Sequence, residues 1–258
     1  MLSCHHLSMN YGSKQVLDNL HLNISKGEIV SLVGSNGCGK STLFKILGRY
    51  LFPIQGRVEL EGKDIFRMKS KEVAKKIGLL PQVRREFMDI SVETLVSYGR
   101  YPYLGFSQRL TKEDKGFIQW ALDATDLYQK KDQLLSTLSG GERQRAWLAM
   151  ALAQQTEILL LDEPTTFLDI SYQLDFLDLI YKMNQERGLT VFMILHDINQ
   201  AIQYSHRLLA MKEGTIYIDS DTKKIPMEKL LQDVFGISGT TFYHGDTQKP
   251  YWIPKNKI

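Results

Sequence analysis

The segment Gly34-Ser35-Asn36-Gly37-Cys38-Gly39-Lys40-Ser41 constrains the fold of this chain more than any other. It follows a run with strand character, Glu28–Val33, and leads into a helical pattern, Ser41–Leu47. Glycines at this spacing let the backbone curl so that successive N–H groups face inward, a cradle for phosphate oxygens. The helix that follows adds the partial positive charge of its N-terminus. In such a loop Lys40 reaches the β- and γ-phosphates, the Ser41 hydroxyl ligates Mg²⁺, and Cys38 is expected against the phosphates.

The remaining sequence agrees with a phosphate-binding α/β protein. Further strands are expected at Arg57–Leu60, Ile77–Leu80, Glu157–Leu161, Thr190–Leu195 and Arg207–Met211, alternating with helical patterns, which predicts a mainly parallel sheet. Thr190–Leu195 is apolar on both faces, as a central strand requires. A helix is expected over Ile170–Arg187, with Leu174, Leu177, Ile180 and Tyr181 along one side and Gly188 as its stop. Between Ser91 and Gln154 the pattern changes to three helices, Ser91–Tyr98, Thr111–Thr125 and Gly141–Gln154, without a convincing strand. After about Thr222 the chain reads as a short helix, Met227–Phe235, then turn-rich sequence at Gly245-Asp246 and Lys249-Pro250.

Composition narrows the class. With 43% hydrophobic and 24% charged residues the chain matches an ordinary globular protein. Its longest apolar run, Ala146–Ala153, is far below the roughly 20 residues a spanning helix needs. The N-terminus lacks the basic-then-apolar pattern of a secretory signal. Two cysteines, Cys4 and Cys38, make no disulfide framework and suggest a reducing, cytosolic setting. A net charge of +3 is too mild to argue for nucleic acid.

Two further motifs carry chemistry. Ile158-Leu159-Leu160-Leu161-Asp162-Glu163-Pro164 predicts a buried strand with two carboxylates at its C-terminal end, where α/β sheets bind ligands. There Asp162 would hold Mg²⁺, and Glu163 would polarise an attacking water. Leu138-Ser139-Gly140-Gly141-Glu142-Arg143-Gln144-Arg145 predicts a helix start able to bind a second anion, or a plain serine N-cap with a glycine turn. One nucleotide needs one phosphate cradle, so a second suggests a γ-phosphate held by another copy of the chain.

Together these motifs resemble the ATP-binding cassette family, over nearly the whole chain. The resemblance implies a P-loop NTPase (RecA-like) core with a mainly parallel sheet, an antiparallel β portion and an inserted helical subdomain. It implies a single domain, with residues 1–90 and 155–225 as core, 91–154 as the helical signature subdomain and 226–258 as a tail. ATP and Mg²⁺ are the implied cofactors. Gly34, Ser35, Asn36, Gly37, Cys38, Gly39, Lys40, Ser41 and Thr42 would surround the phosphates. Tyr11 would stack on adenine, a contact contributing roughly 1–3 kcal/mol. Ser41, Gln82 and Asp162 would hold Mg²⁺, with Gln82 also touching the water. Lys40, Gln82, Glu163 and His196 would carry the catalysis, His196 contacting the γ-phosphate. Ser139, Gly140, Gly141 and Glu142 would address the partner's nucleotide, and Asp169 of Leu168-Asp169 would meet the partner subunit. Glu142 stands where glutamine is commoner, and Thr166-Phe167 replace the family's usual small residues.

Val92–Pro102 and His196–Ala201 are similar to the ATPase subunits of ferric siderophore importers, with cobalamin and haem importers as close relatives. This implies an ATPase at the cytoplasmic face of the membrane, a peripheral head-to-tail homodimer with two ATP at its interface. Integral membrane permease subunits are its direct partners, a substrate-binding lipoprotein or periplasmic protein its indirect one, and nucleic acid none. A permease groove is expected near Gln82–Tyr103, with Arg84, Arg85 and Phe87 as contacts. A cassette ATPase acting on nucleic acid or the ribosome would usually carry two cassettes or a coiled-coil insertion. A P-loop kinase or GTPase would leave Ser139–Arg145 and His196 unexplained.

Overall fold

A computed structural model describes residues 1–82, 89–105, 109–166 and 168–257. The chain opens with β1 (Leu2–Tyr11), β2 (Lys14–Ile24), β3 (Ile29–Gly34), α1 (Lys40–Leu47), β4 (Gln55–Leu60) and β5 (Lys63–Asp64). There follow α2 (Ser70–Ala74), β6 (Ile77–Leu80), α3 (Val92–Ser97), α4 (Lys112–Ala124), α5 (Gly140–Ala153), β7 (Ile158–Asp162) and α6 (Ile170–Arg187). The last part holds β8 (Thr190–Ile194), α7 (Ile198–Gln203), β9 (Arg207–Lys212), β10 (Thr215–Asp221), α8 (Met227–Lys229), β11 (Ile237–Tyr243) and β12 (Pro250–Lys257). These elements form two compact units, Met1–Arg67 with Thr190–Ile258, and Met68–Leu189. No helix among the described residues is long and apolar enough to cross a membrane.

In the first unit β3 lies parallel between β8 and β9, and β10 runs antiparallel along β9. All six residues of β3 and all five of β8 are buried, which is why both read as continuous apolar runs. A second, antiparallel sheet has the order β2-β1-β4-β5. The long strands β1 and β2 were not expected from the sequence. Their buried positions are Leu2, Cys4 and Leu7 on one and Leu17, Leu20, Leu22 and Ile24 on the other. A three-residue step interrupts the two-residue alternation in each. Shifts of register lie at these steps, and His6 and Asn19 there have positive φ, 52° and 45°. Bulges of this kind erase the period that marks a strand in sequence.

The tail agrees with expectation in its helical span, Met227–Phe235, and differs beyond it. The helix is α8 followed by a π-helical turn, Leu230–Phe235, and the turn-rich stretch becomes an antiparallel hairpin of β11 and β12. Gly245-Asp246 lies in the hairpin connection, whereas Pro250 already belongs to β12.

In the second unit β6 and β7 pair in parallel, and α5 packs on α3, α4 and β6. The described part of 91–154 holds helices joined by turns, and its β structure is a lone bridge between Ser91 and Leu134. Helix α6 ends at Gly188 in the left-handed conformation, as expected, and Leu177 and Ile180 are buried. Leu174 and Tyr181, placed on the same side by the sequence pattern, are each 40% exposed.

In the segment Gly99-Arg100-Tyr101-Pro102, part of a 3₁₀ turn over Tyr98–Tyr103, Gly99 and Arg100 are buried and Tyr101 is exposed. A Cβ on Gly99 would lie 2.2 Å from the Met150 carbonyl oxygen of α5, so only glycine fits there. Arg100, 3% exposed, donates from Nε to Asp114 Oδ1 at 2.8 Å and from an NH1 group to the Ala153 carbonyl at 2.8 Å. Its guanidinium carbon lies 3.9 Å from the Tyr103 ring centre and 4.6 Å from that of Phe117. Asp114 in turn closes a capping box with Thr111 at the start of α4. Burial pushes the Asp114 carboxyl up, but hydrogen bonds from Thr111 and Arg100 outweigh it and hold the group below the usual carboxylate range. One arginine thus ties the 3₁₀ turn to α4 and α5. Removing one partner of a buried ion pair costs about 3–5 kcal/mol. Arg100→Ala should therefore lower the melting temperature strongly, and Arg100→Lys should recover little of it, because an ammonium cannot match the planar fork. An unchanged melting temperature would remove Arg100 from this role.

Candidate functional site

The first unit carries the phosphate loop at the C-terminal end of β3. Gly34, Gly37 and Gly39 have φ of 155°, 78° and 111°, values that side-chain-bearing residues rarely adopt. Crowding adds to this: a Cβ on Gly34 would lie 2.5 Å from the Met211 carbonyl oxygen, and one on Gly39 2.7 Å from that of Val16. Ser35, Asn36 and Gly37 are exposed at the loop crest, Ser41 is half-buried, and Thr42 is buried. Lys40 is the first residue of α1 and 5% exposed, and its Nζ donates to the carbonyls of Gly34 at 2.8 Å and Ser35 at 3.0 Å. The loop thereby holds its own cation in its curve.

Cys38 does not point where the sequence suggests. Its side chain is turned into the protein, 6% exposed, with Sγ 2.9 Å from the place of a Cβ on Gly34. Burial raises its thiol, and the Lys40 charge beside it offsets this in part.

His196 belongs to the same end of the same sheet. Leu32 of β3 pairs with Ile194 of β8, and the Leu195 N–H donates to the Leu32 carbonyl at 3.2 Å. The phosphate loop and His196 therefore leave adjacent parallel strands in the same direction, and His196 is exposed there. Asp197 follows as the N-cap of α7, its carboxylate accepting from the Gln200 N–H at 2.9 Å. Tyr11 ends β1 and is 49% exposed, so its ring is open to stacking.

The second unit repeats this arrangement with acids. Leu80 pairs with Leu161, so Gln82 and the pair Asp162-Glu163 emerge from neighbouring strand ends. Gln82 Nε2 donates to Glu163 Oε2. Asp162 is 5% exposed at the end of β7. Glu163 sits at φ 50°, a strained conformation for a residue with a side chain, which turns it out of the strand direction. Adjacent carboxylates thus have different surroundings.

Ser139 caps α5 with a capping box: its hydroxyl accepts from the Glu142 N–H at 3.3 Å, and Glu142 accepts from the Ser139 N–H at 2.9 Å. The hydroxyl accepts in this box, which leaves its own O–H as a donor. Lys130 and the Ser139 N–H hold the Glu142 carboxyl down to about 2. Gln144, a residue of the same motif with no expected role, is buried and donates to the Pro164 carbonyl, tying α5 to the turn behind Glu163. Only its place in the motif pointed to it. Asp169 is the exposed N-cap residue of α6. Arg84, Arg85, Phe87 and Phe167 lie outside the described residues.

Because Cys38 is buried and its thiol raised, alkylation by iodoacetamide at neutral pH should be far slower than for a free thiol. The rate should climb with pH as thiolate forms. Fast, pH-independent loss of the Cys38 thiol, followed by mass spectrometry, would contradict its inward placement.

Comparison with known proteins shows the family. The family profile described as ABC transporter matches residues 17–166. The petrobactin import ATP-binding protein FpuC of Bacillus anthracis is 44% identical over 255 residues, 99% of this chain and 93% of that protein. The iron(3+)-hydroxamate import ATP-binding protein FhuC of Bacillus subtilis (strain 168) is 41% identical over 100% of this chain and 96% of its own length. Among solved structures, an ABC transporter in an inward-facing conformation superposes with a TM-score of 0.84 at 28% identity, covering 99% of this chain and 97% of that one. A bacterial ABC transporter cassette solved as a dimer gives 0.76 at 29% identity over 86% and 98%. With a strand-loop-helix phosphate cradle, a strand-end acid pair and relatives that match it nearly end to end, the chain belongs to the ATP-binding cassette transporter family and is an ATP-hydrolysing subunit of that family.

Proposed function

We propose that this chain energises the import of a ferric siderophore, most closely of the hydroxamate type, through a membrane permease. It works as a head-to-tail homodimer on the cytoplasmic face of the membrane, with a substrate-binding lipoprotein or periplasmic protein upstream and no nucleic acid partner. One observation carries this reading: the end-to-end likeness to ATP-binding proteins named for petrobactin and iron(3+)-hydroxamate import. In the proposed domain plan, residues 1–90 and 155–225 form the nucleotide-binding core, 91–154 the helical signature subdomain and 226–258 the tail.

The proposed chemistry follows from the side chains. Tyr11 stacks on the adenine, and the N–H groups of the loop from Gly34 to Thr42 bind phosphate oxygens. Lys40 neutralises charge growing between the β- and γ-phosphates. Ser41, Gln82 and Asp162 offer a hydroxyl, an amide carbonyl and a carboxylate, an all-oxygen donor set that fits Mg²⁺. When bound, that ion neutralises phosphate charge as the γ-phosphoryl group departs. Glu163 accepts a hydrogen bond from the attacking water and polarises it, with Gln82 fixing the carboxylate. His196 donates to the γ-phosphate. Ser139, Gly140, Gly141 and Glu142 form the helix start that addresses the partner's nucleotide, and Asp169 meets the partner. Transport follows if ATP contacts the closed dimer better than the open one, so that binding and hydrolysis shift the population between them.

Glu163→Gln keeps the shape and loses the carboxylate, so turnover should fall by about 10²–10⁴ while ATP still binds. The variant should accumulate as an ATP-bound dimer in gel filtration. Near-parental hydrolysis would remove Glu163 from its role. For the cargo, a deletion strain should grow poorly on ferric hydroxamates as sole iron source, and the gene carrying Lys40→Ala should not rescue it. Normal uptake of every ferric siderophore with loss of cobalamin or haem uptake would overturn the cargo while keeping the transport role.

A further inference from the structure

We infer that the C-terminal hairpin is a clamp on α7 that holds His196 in place, with Asn199 as its positioning residue. This rests on the reading of His196 as the γ-phosphate contact. His196 and Asp197 pass directly from β8 into α7, so the pose of α7 sets the pose of His196. Helix α7 has six residues, too few to be stable alone. It buries Ile198, Ala201 and Ile202 and packs on β3, on β9 and on β12 of the hairpin.

That support is fastened at both ends of the helix. In its first turn, Asn199 Nδ2 donates to the Trp252 carbonyl at 3.1 Å, and the Trp252 N–H donates to Asn199 Oδ1 at 2.9 Å. The side-chain amide thus replaces a neighbouring strand for β12. At its C-terminal end, Lys249 Nζ donates to the carbonyls of Gln203 and Ser205, each at 2.7 Å. A cation there suits the negative end of the helix. The Trp252 ring lies over Gly239 of β11, where a Cβ would come within 2.6 Å of it, so the two hairpin strands are locked to each other. Asn199 belongs to Asp197-Ile198-Asn199-Gln200-Ala201, the segment that carried part of the subfamily resemblance. Its role lies in tethering the tail, away from any cargo.

A clamp that only added stability would leave the kinetics of folded enzyme unchanged, whereas a positioning clamp would not. Steady-state ATP hydrolysis by the full chain separates these. Asn199→Ala should lower kcat by roughly ten- to a hundredfold, as small misplacements of reacting groups do, with KM for ATP unchanged. Asn199→Asp, which keeps the acceptor for the Trp252 N–H and loses the donor, should fall between. In a His196→Ala background, Asn199→Ala should cause no further loss. Tyr243→Ser, on the exposed side of the hairpin, should leave turnover unchanged. If Asn199→Ala does not fold, Lys249→Met loosens the other end and should show the same kcat-only loss.

Parental kcat in Asn199→Ala, or an equal further loss on top of His196→Ala, would overturn the clamp. A parental kcat in His196→Ala would instead overturn the role of His196, and with it the catalytic half of the clamp. Amide exchange then decides the mechanical half: faster exchange across α7 in Asn199→Ala supports it, and unchanged exchange overturns it.

Discussion

The parallel placement of β3 between β8 and β9 is the constraint on which the phosphate-binding chemistry of the first unit depends. Burial of every β3 side chain holds that strand in one register, because each fills a close-packed space that a slip would leave badly matched. A fixed register fixes where the strand stops. At that stop the backbone must turn at Gly34, where a Cβ would lie 2.5 Å from the Met211 carbonyl oxygen, which excludes any side chain. The cradle, the inward cation of Lys40 and the exposed His196 are consequences of strands ending together.

The second unit uses the same principle for acids. Pairing of β6 with β7 brings Gln82 to Glu163, and the positive φ of Glu163 gives it a direction that Asp162, still in the strand, does not have. Two neighbouring carboxylates can therefore serve different chemistry without any difference in residue type beyond one methylene. The capping box of Ser139 and Glu142 and the Gln144 bond to Pro164 show how much of a functional motif is structural. Capping and anion binding do not compete, since a serine hydroxyl both accepts and donates.

Much of this was legible in the sequence where local rules suffice. The phosphate loop, the acid pair and the capped helix were readable because glycine geometry, buried apolar runs and capping residues each act over a few positions. Strands β1 and β2 were not, because bulges at His5–Leu7 and Leu17–Leu20 break their alternation and are stabilised by partners distant in the chain. The hairpin of β11 and β12 was read as turns for a related reason. Its residues are mostly half-buried or exposed, so no apolar period marks them, and its place is set by Asn199 and Lys249 reaching α7.

The sequence by itself determined which chemistry the chain can do, since residue types at short spacing decide where phosphate, Mg²⁺ and water can be bound. Tertiary structure alone decided what supports that chemistry. Arg100 enters the sequence reading only as part of the resemblance segment Val92–Pro102 and proves to be a buried pin between Asp114 and Ala153. Cys38 reads as a phosphate neighbour and is packed beneath the loop. The physical reason is common to both. A motif specifies contacts within a few residues, whereas the direction of a buried side chain is set by which distant surfaces fill the space around it.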